Sequence, residues 1–217
     1  MYQTIIKSLR DILSPMVLHF ILKIGLGSIA LWVMLFYAFW EAFEEFIVSY
    51  LDWIPWEWMQ EGVSYIAAPL VGYSLIIITI SILTSLYSEA LLIKIAKKNY
   101  PKQPIEEHVA LGGSISATIK SSIIFVLLFL ALLPSIFIPI VGQVVMLYLW
   151  SILLKDPMIY DVGSLFIQDK SLLKKRQKGA TTIAMIASLF NYIPLLNIFA
   201  PIFAQILFLH HILRSDN

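Results

Sequence analysis

The chain has 217 residues, 59% hydrophobic and 13% charged, with a mean hydropathy of +0.84 and a formal net charge of +1. This composition describes an all-α integral membrane protein rather than a soluble domain, and the length suits a single membrane domain, residues 1–217. The absence of cysteine excludes disulfides, thiolate metal sites and thiol redox chemistry.

The first apolar stretch, residues 24–40 with residues 12–20 leading in, predicts a span over about 16–40. It is too long for a signal-peptide core and no small-x-small cleavage pattern follows it, so it is read as retained. The span enters from Lys7, Arg10 and Lys23 and leaves at Trp40, Tyr50, Trp53, Trp56 and Trp58, rings of the kind that mark a membrane–water boundary. Residues 41–61 carry Glu41, Glu44, Glu45, Asp52, Glu57 and Glu61 but no Lys or Arg; all 15 basic residues lie elsewhere. The positive-inside rule therefore makes 41–61 an external acidic segment of a multi-pass inner-membrane protein with both termini in the cytoplasm. Within it Phe43, Phe46, Ile47, Tyr50, Leu51 and Ile54 recur at helical spacing, which predicts an interfacial helix or an extension of the first span.

A second span covers about 63–87 and stays helix-compatible to Lys98, roughly 54 Å in all, so it should project into the cytoplasm. There Leu91, Leu92 and Ile95 are expected to pack, and Asn99-Tyr100-Pro101 with Pro104 ends the helix. Two basic cytoplasmic loops follow the spans, 88–120 with Gly112-Gly113, and 155–178 with Lys170, Lys174, Lys175, Arg176 and Lys178.

Each loop leads into a long uncharged stretch broken by proline, 121–154 at Pro134 and Pro139, and 179–213 at Pro194 and Pro201. The predicted arms, 121–133 and 141–154, then 179–192 and 197–213, fall short of the about 20 residues that cross a bilayer. Two partially penetrating helical hairpins are expected, with pairs of tight full spans as the alternative. Proline costs about 3 kcal/mol or more inside a helix, so the prolines should sit in or beside turns. Pro139-Ile140-Val141-Gly142-Gln143 aligns with Pro201-Ile202-Phe203-Ala204-Gln205, a weak internal repeat of the kind that places paired broken helices about one transport site.

Hairpin tips that open an outgoing helix point free N–H groups and a partial positive charge inward, an anion-binding arrangement, unless they merely fold against neighbouring helices. Gln143, Asn191, Asn197 and Gln205 are the polar side chains near the tips. Lys23 can snorkel to the cytoplasmic surface, while His19 and the His210-His211 pair have the right chemistry for a pH response or for a plain interfacial position. The chain shows no metal-ligand spacing, catalytic triad, Walker sequence or dinucleotide loop, so neither an enzyme nor a cofactor is expected. The basic loops follow from membrane topology and do not call for nucleic acid.

Three segments are similar to the CysZ-type sulfate permease family, which includes a eukaryotic endoplasmic-reticulum branch. Ile138-Pro139-Ile140-Val141-Gly142-Gln143 with Leu149-Trp150 resembles its first hairpin. Ser188-Leu189-Phe190, then Ile193-Pro194-Leu195-Leu196-Asn197 with Phe199 and Pro201, resembles its second. Tyr87-Ser88-Glu89 is a looser match. The resemblance implies two long transmembrane helices, two partially penetrating hairpins, homo-oligomeric assembly in the lipid bilayer, and uptake of sulfate. It also marks a departure: a Pro-Gly-Leu-Arg-like segment that the family associates with sulfate reads Pro15-Met16-Val17-Leu18-His19 here, and Arg10, His19 or Lys23 would have to stand in for the arginine. The expected function is a permease for a small inorganic anion, sulfate first. The rival is a membrane scaffold or lipid-handling protein whose hairpins insert in one leaflet.

Overall fold

The computed structural model describes residues 1–49, 57–105 and 111–214, and every regular element among them is helical. In chain order the helices are α1 (Tyr2–Ile12), α2 (Pro15–Ser49), α3 (Glu57–Tyr87), α4 (Glu89–Asn99), α5 (Leu111–Ile136), α6 (Val141–Gly163), α7 (Lys170–Lys175), α8 (Ala180–Ser188) and α9 (Ala200–Arg214). Two 3-10 turns, Leu189–Tyr192 and Leu196–Ile198, join α8 to α9. The chain divides into two compact units, one of Met1–Leu18 with Tyr87–Asn217, the other of His19–Leu86.

The second unit is built on α2 and α3. Trp32 Nε1–H donates to Thr79 Oγ1 at 2.8 Å, giving the part-buried indole donor an acceptor on the neighbouring helix. A Cβ at Gly72 would come within 3.1 Å of the Phe36 ring, so the glycine lets the two helices approach closely there. Phe36 also stacks obliquely on Trp32 and Phe43, at 5.5 and 4.6 Å between centroids. α2 reaches Ser49 but is kinked at Phe39, whose φ −127° and ψ 28° are non-helical, so residues 40–49 form a second helical segment after the first span. Tyr50, Asp52, Trp53 and Trp56 lie outside the described residues.

The first unit is organised around α9. Its apolar residues are buried on all faces, including Ile202, Phe203, Ile206, Leu207, Phe208 and Leu209. A helix that is hydrophobic all round belongs in an interior, and α1, α4, α6 and α8 pack around it. The 197–213 stretch is therefore uncharged because it is a protein core.

The first hairpin corrects the predicted arm lengths. α5 has 26 residues and α6 has 23, about 39 and 35 Å at 1.5 Å per residue, long enough to cross about 30 Å of hydrocarbon. Among the described residues three segments are long and apolar enough to span: Pro15–Phe46, Pro69–Tyr87 and Ile115–Ile136. Only 6% of the last window is buried within the protein, so its apolar side chains face outward. The second hairpin does have short arms, with 9 residues in α8 and 15 in α9, about 14 and 22 Å.

Two further details differ from expectation. The helix predicted to run unbroken to Lys98 ends at Tyr87 and restarts at Glu89, with Ser88 buried between. Beyond the break Leu91, Leu92 and Ile95 are buried as expected, and Asn99-Tyr100 ends α4. The N-terminal helix α1 was not anticipated, because its buried stripe is polar: Thr4, Ser8 and Asp11, with Ile12 alone apolar.

Candidate functional site

The prolines stand where the chain turns. Pro134 is in the last turn of α5, Pro139 precedes α6, Pro194 sits between the two 3-10 turns, and Pro201 is the second residue of α9. Both tips share a feature invisible to periodicity. Ile140, directly after Pro139, has φ 67°, and Leu195, directly after Pro194, has φ 70°; among the described residues these are the non-glycine positions with positive φ. At Ile140 the N–H of Val141 reaches back to the carbonyl of Pro139 at 2.8 Å, closing a tight three-residue turn. Left-handed backbone at a bulky residue costs on the order of 1–3 kcal/mol and collects at functional positions. The structural equivalence between hairpins is thus Pro139-Ile140 with Pro194-Leu195, whereas the sequence repeat paired Pro139 with Pro201.

Gly142 is obligatory at the first tip, since a Cβ there would overlap the carbonyl oxygen of Ile136. The expected cradle of free N–H groups is mostly consumed: Val141, Gly142 and Val144 donate to the carbonyls of Pro139, Ile138 and Ile140 at 2.8, 2.8 and 3.1 Å. Polar side chains are left to carry any contact with an anion. The tips do meet, with the Tyr192 hydroxyl donating to the Gln143 carbonyl at 3.4 Å. Gln143 and Asn191 are exposed, and Asn197 is half-buried with its N–H on the Ile193 carbonyl at 3.1 Å. Gln205 lies within α9, 4% exposed, and its Oε1 has no hydrogen-bond partner. A buried acceptor left unpaired costs about 1–3 kcal/mol.

The remaining predicted site residues lie elsewhere. Arg10 is exposed on α1, beside Asp11, which touches α9 at His210, ten residues or about 15 Å along the helix from Ala200. His19 and Lys23 are exposed and belong to the other unit.

At that base lies a polar cluster that sequence reasoning did not assemble. Asp11 Oδ2 accepts from His210 Nε2–H at 2.9 Å and from Asn99 Nδ2 at 2.8 Å; Lys98 Nζ lies 3.4 Å from Oδ1. A carboxylate has no hydrogen to give, so the His210 proton facing it sits on Nε2. Nδ1 lies 3.0 Å from Tyr100 Oη and takes the phenol proton. Lys7 Nζ rests 5.1 Å from the centre of the Tyr100 ring, and Arg214 Nη1 donates to Thr4 Oγ1 at 3.3 Å. His210 is fully buried and the Asp11 side chain is 5% exposed. Burial pushes the Asp11 carboxyl up, but the hydrogen bonds from His210 and Lys98 and the nearby Lys98 charge outweigh it and hold the group below its ordinary value. Burial moves the Tyr100 phenol up, keeping it a donor. The signal available in the sequence was the i, i+4, i+7 spacing of Thr4, Ser8 and Asp11, a polar face that needs a polar partner.

Three apolar helices of spanning length among the described residues, one of them an arm of a proline-turned hairpin, mark a multi-pass membrane protein. The chain belongs to the family described as sulfate transporter CysZ/etoposide-induced protein 2.4, whose model matches residues 4–201. No curated protein and no solved structure matches the chain. Asp11 and Tyr100 fall within the family match, and His210 falls beyond it.

Proposed function

We propose that this chain is a permease for a small inorganic anion, sulfate being the first candidate, acting in the inner membrane with both termini cytoplasmic and as a homo-oligomer. The observation that carries the reading is the pair of strained Pro-X turns, Pro139-Ile140 and Pro194-Leu195, held together by Tyr192 and Gln143. A hairpin that only needed to reverse direction would place glycine at such a φ; isoleucine and leucine there store strain that a moving part can release. Gln143, Asn191 and Asn197, close to the turns in sequence, and Gln205 within α9 are neutral amides, suited to passing an anion without trapping it. The family supports transport of sulfate. With no ATPase motif in the sequence, movement is downhill or coupled to a proton.

The test is labelled-anion uptake into liposomes containing the purified chain, with sulfate, sulfite, thiosulfate, phosphate and chloride. Saturable sulfate uptake is expected, and Asn197→Leu should lower its rate while leaving the thermal midpoint nearly unchanged. One observation favours a second reading: the arms of α8 and α9 are too short to cross, as a scaffold wedged into one leaflet would also require. Folded protein that moves none of the five anions selects the scaffold.

A further inference from the structure

The basic segment 170–178 is more than a charged loop, because the fold holds it in one shape. Asp169 caps α7 with both carboxylate oxygens, accepting from Ser171 N at 2.7 Å and from Ser171 Oγ at 2.9 Å. Leu173, 2% exposed, drops against Gly163 of α6, where a Cβ would stand 2.5 Å from its Cδ2 and force that side chain to shift. At the other end His211 Nε2 lies 3.1 Å from the Arg176 carbonyl, tying the segment to α9, and Gly179 at φ 80° turns the chain into α8.

The consequence is a cavity of about 410 Å³ lined by Leu172, Lys175, Arg176 and Lys178. Three of its four lining residues are cationic. Arg176 is 8% exposed, and burial pushes its guanidinium below the ordinary value. The nearest acid in sequence, Asp169, is committed to the far end of α7. Among the described residues neither Lys175 nor Lys178 has a carboxylate within ion-pair distance. Positive-inside topology accounts for basic residues near the surface, but it does not account for a pinned concavity with a buried arginine in its wall.

We propose that this cavity is a phosphate-binding site, filled by the phosphate of an anionic lipid headgroup or by free phosphate. A guanidinium fork takes two phosphate oxygens at once, and two flexible ammonium groups can reach the others. The volume lies within the range of small-ligand sites and has room for the glycerol end of a headgroup. Leu172 supplies an apolar edge. The site is separate from the hairpin tips and stands whichever anion the chain transports.

The experiment uses the full chain in a non-ionic detergent and follows the thermal midpoint during titration with phosphatidylglycerol, phosphatidylcholine or inorganic phosphate. Wild type should be stabilised by phosphatidylglycerol or by inorganic phosphate, and not by phosphatidylcholine. A response to phosphatidylglycerol alone assigns the lipid source, and an equal response to inorganic phosphate assigns the free ion. Lys175→Gln with Lys178→Gln, both exposed positions, should raise the half-maximal concentration roughly thirtyfold. The control pair Lys94→Gln with Lys97→Gln removes the same charge from α4 and should leave it within about twofold. Arg176→Lys keeps the charge, loses the fork and should also weaken the response. The proposal is overturned if wild type responds to neither ligand, or if the Lys175/Lys178 variant responds as wild type does.

Discussion

Replacing Asp11 by alanine removes the hub of the buried cluster and leaves His210 Nε2–H and the Asn99 amide without their acceptor. Hydrogen bonds to an ionised group contribute about 1.5–3 kcal/mol each. The Lys98 contact adds little, because that lysine side chain is 62% exposed and the pair is long at 3.4 Å. Members of one network do not add strictly, so the two bonds from His210 and Asn99 set an expected loss of about 3–5 kcal/mol. For a chain of this size that is a fall of about 6–20 °C in thermal midpoint. Tryptophan fluorescence in detergent would follow it. The sign of the pH dependence is fixed by the depressed Asp11 value. Its contribution is complete above the unfolded carboxyl value of about 3.9 and disappears as pH falls through the lower folded value, so wild type and Asp11→Ala should converge in acid. A midpoint within 1–2 °C of wild type at neutral pH, on the order of the effect of an ordinary surface substitution, would show that the cluster does not hold α1 in place.

Tyr100→Phe leaves His210 Nδ1 without its donor and should cost about 1–3 kcal/mol. Because the Tyr100 value is raised, its contribution is present below about pH 10 and lost as pH climbs through the folded value; the variant should lack that alkaline loss in a thermal-midpoint titration. Ile140→Gly relieves the left-handed backbone and should raise stability by about 1 kcal/mol while altering uptake; a stability loss would mean the side chain, 80% exposed, makes an unrecognised contact. In the cysteine-free chain, single cysteines at Ser49 and Ser171 should react with an impermeant reagent from opposite sides of the membrane, and equal labelling from outside would refute the topology.

What the sequence revealed depended on whether burial and chemistry left a pattern. Spans announce themselves by apolar length, and Pro139 and Pro194 mark chain reversals because proline cannot continue a helix. The arm lengths of the first hairpin were misjudged at both ends. The uncharged stretch begins at Ser121, but Ile115, Ile119 and Lys120 are already helical in α5, and α6 runs on through Pro157. The uncharged 197–213 stretch looked lipid-bound, but hydropathy does not distinguish a lipid neighbour from a protein one. Helix α1 was passed over because amphipathic reasoning looks for an apolar stripe. Positive φ at Ile140 and Leu195 left no trace, since neither residue type favours it. Asp11 and His210 are chemically conspicuous only once they are adjacent.

The bond between Asp11 and His210 joins positions 199 residues apart. At about 5–20 residues per second, Asp11 leaves the ribosome about 10–40 s before its partner exists. Lys98 and Asn99 follow Asp11 after 87 and 88 residues and can meet its carboxylate earlier, but the buried imidazole and the helix that carries it are still missing. Docking of α1 is thus a late event in biogenesis, set by the arrival of α9. Chains stalled short of His210 should expose the first dozen residues to protease, and release of the last helix should protect them.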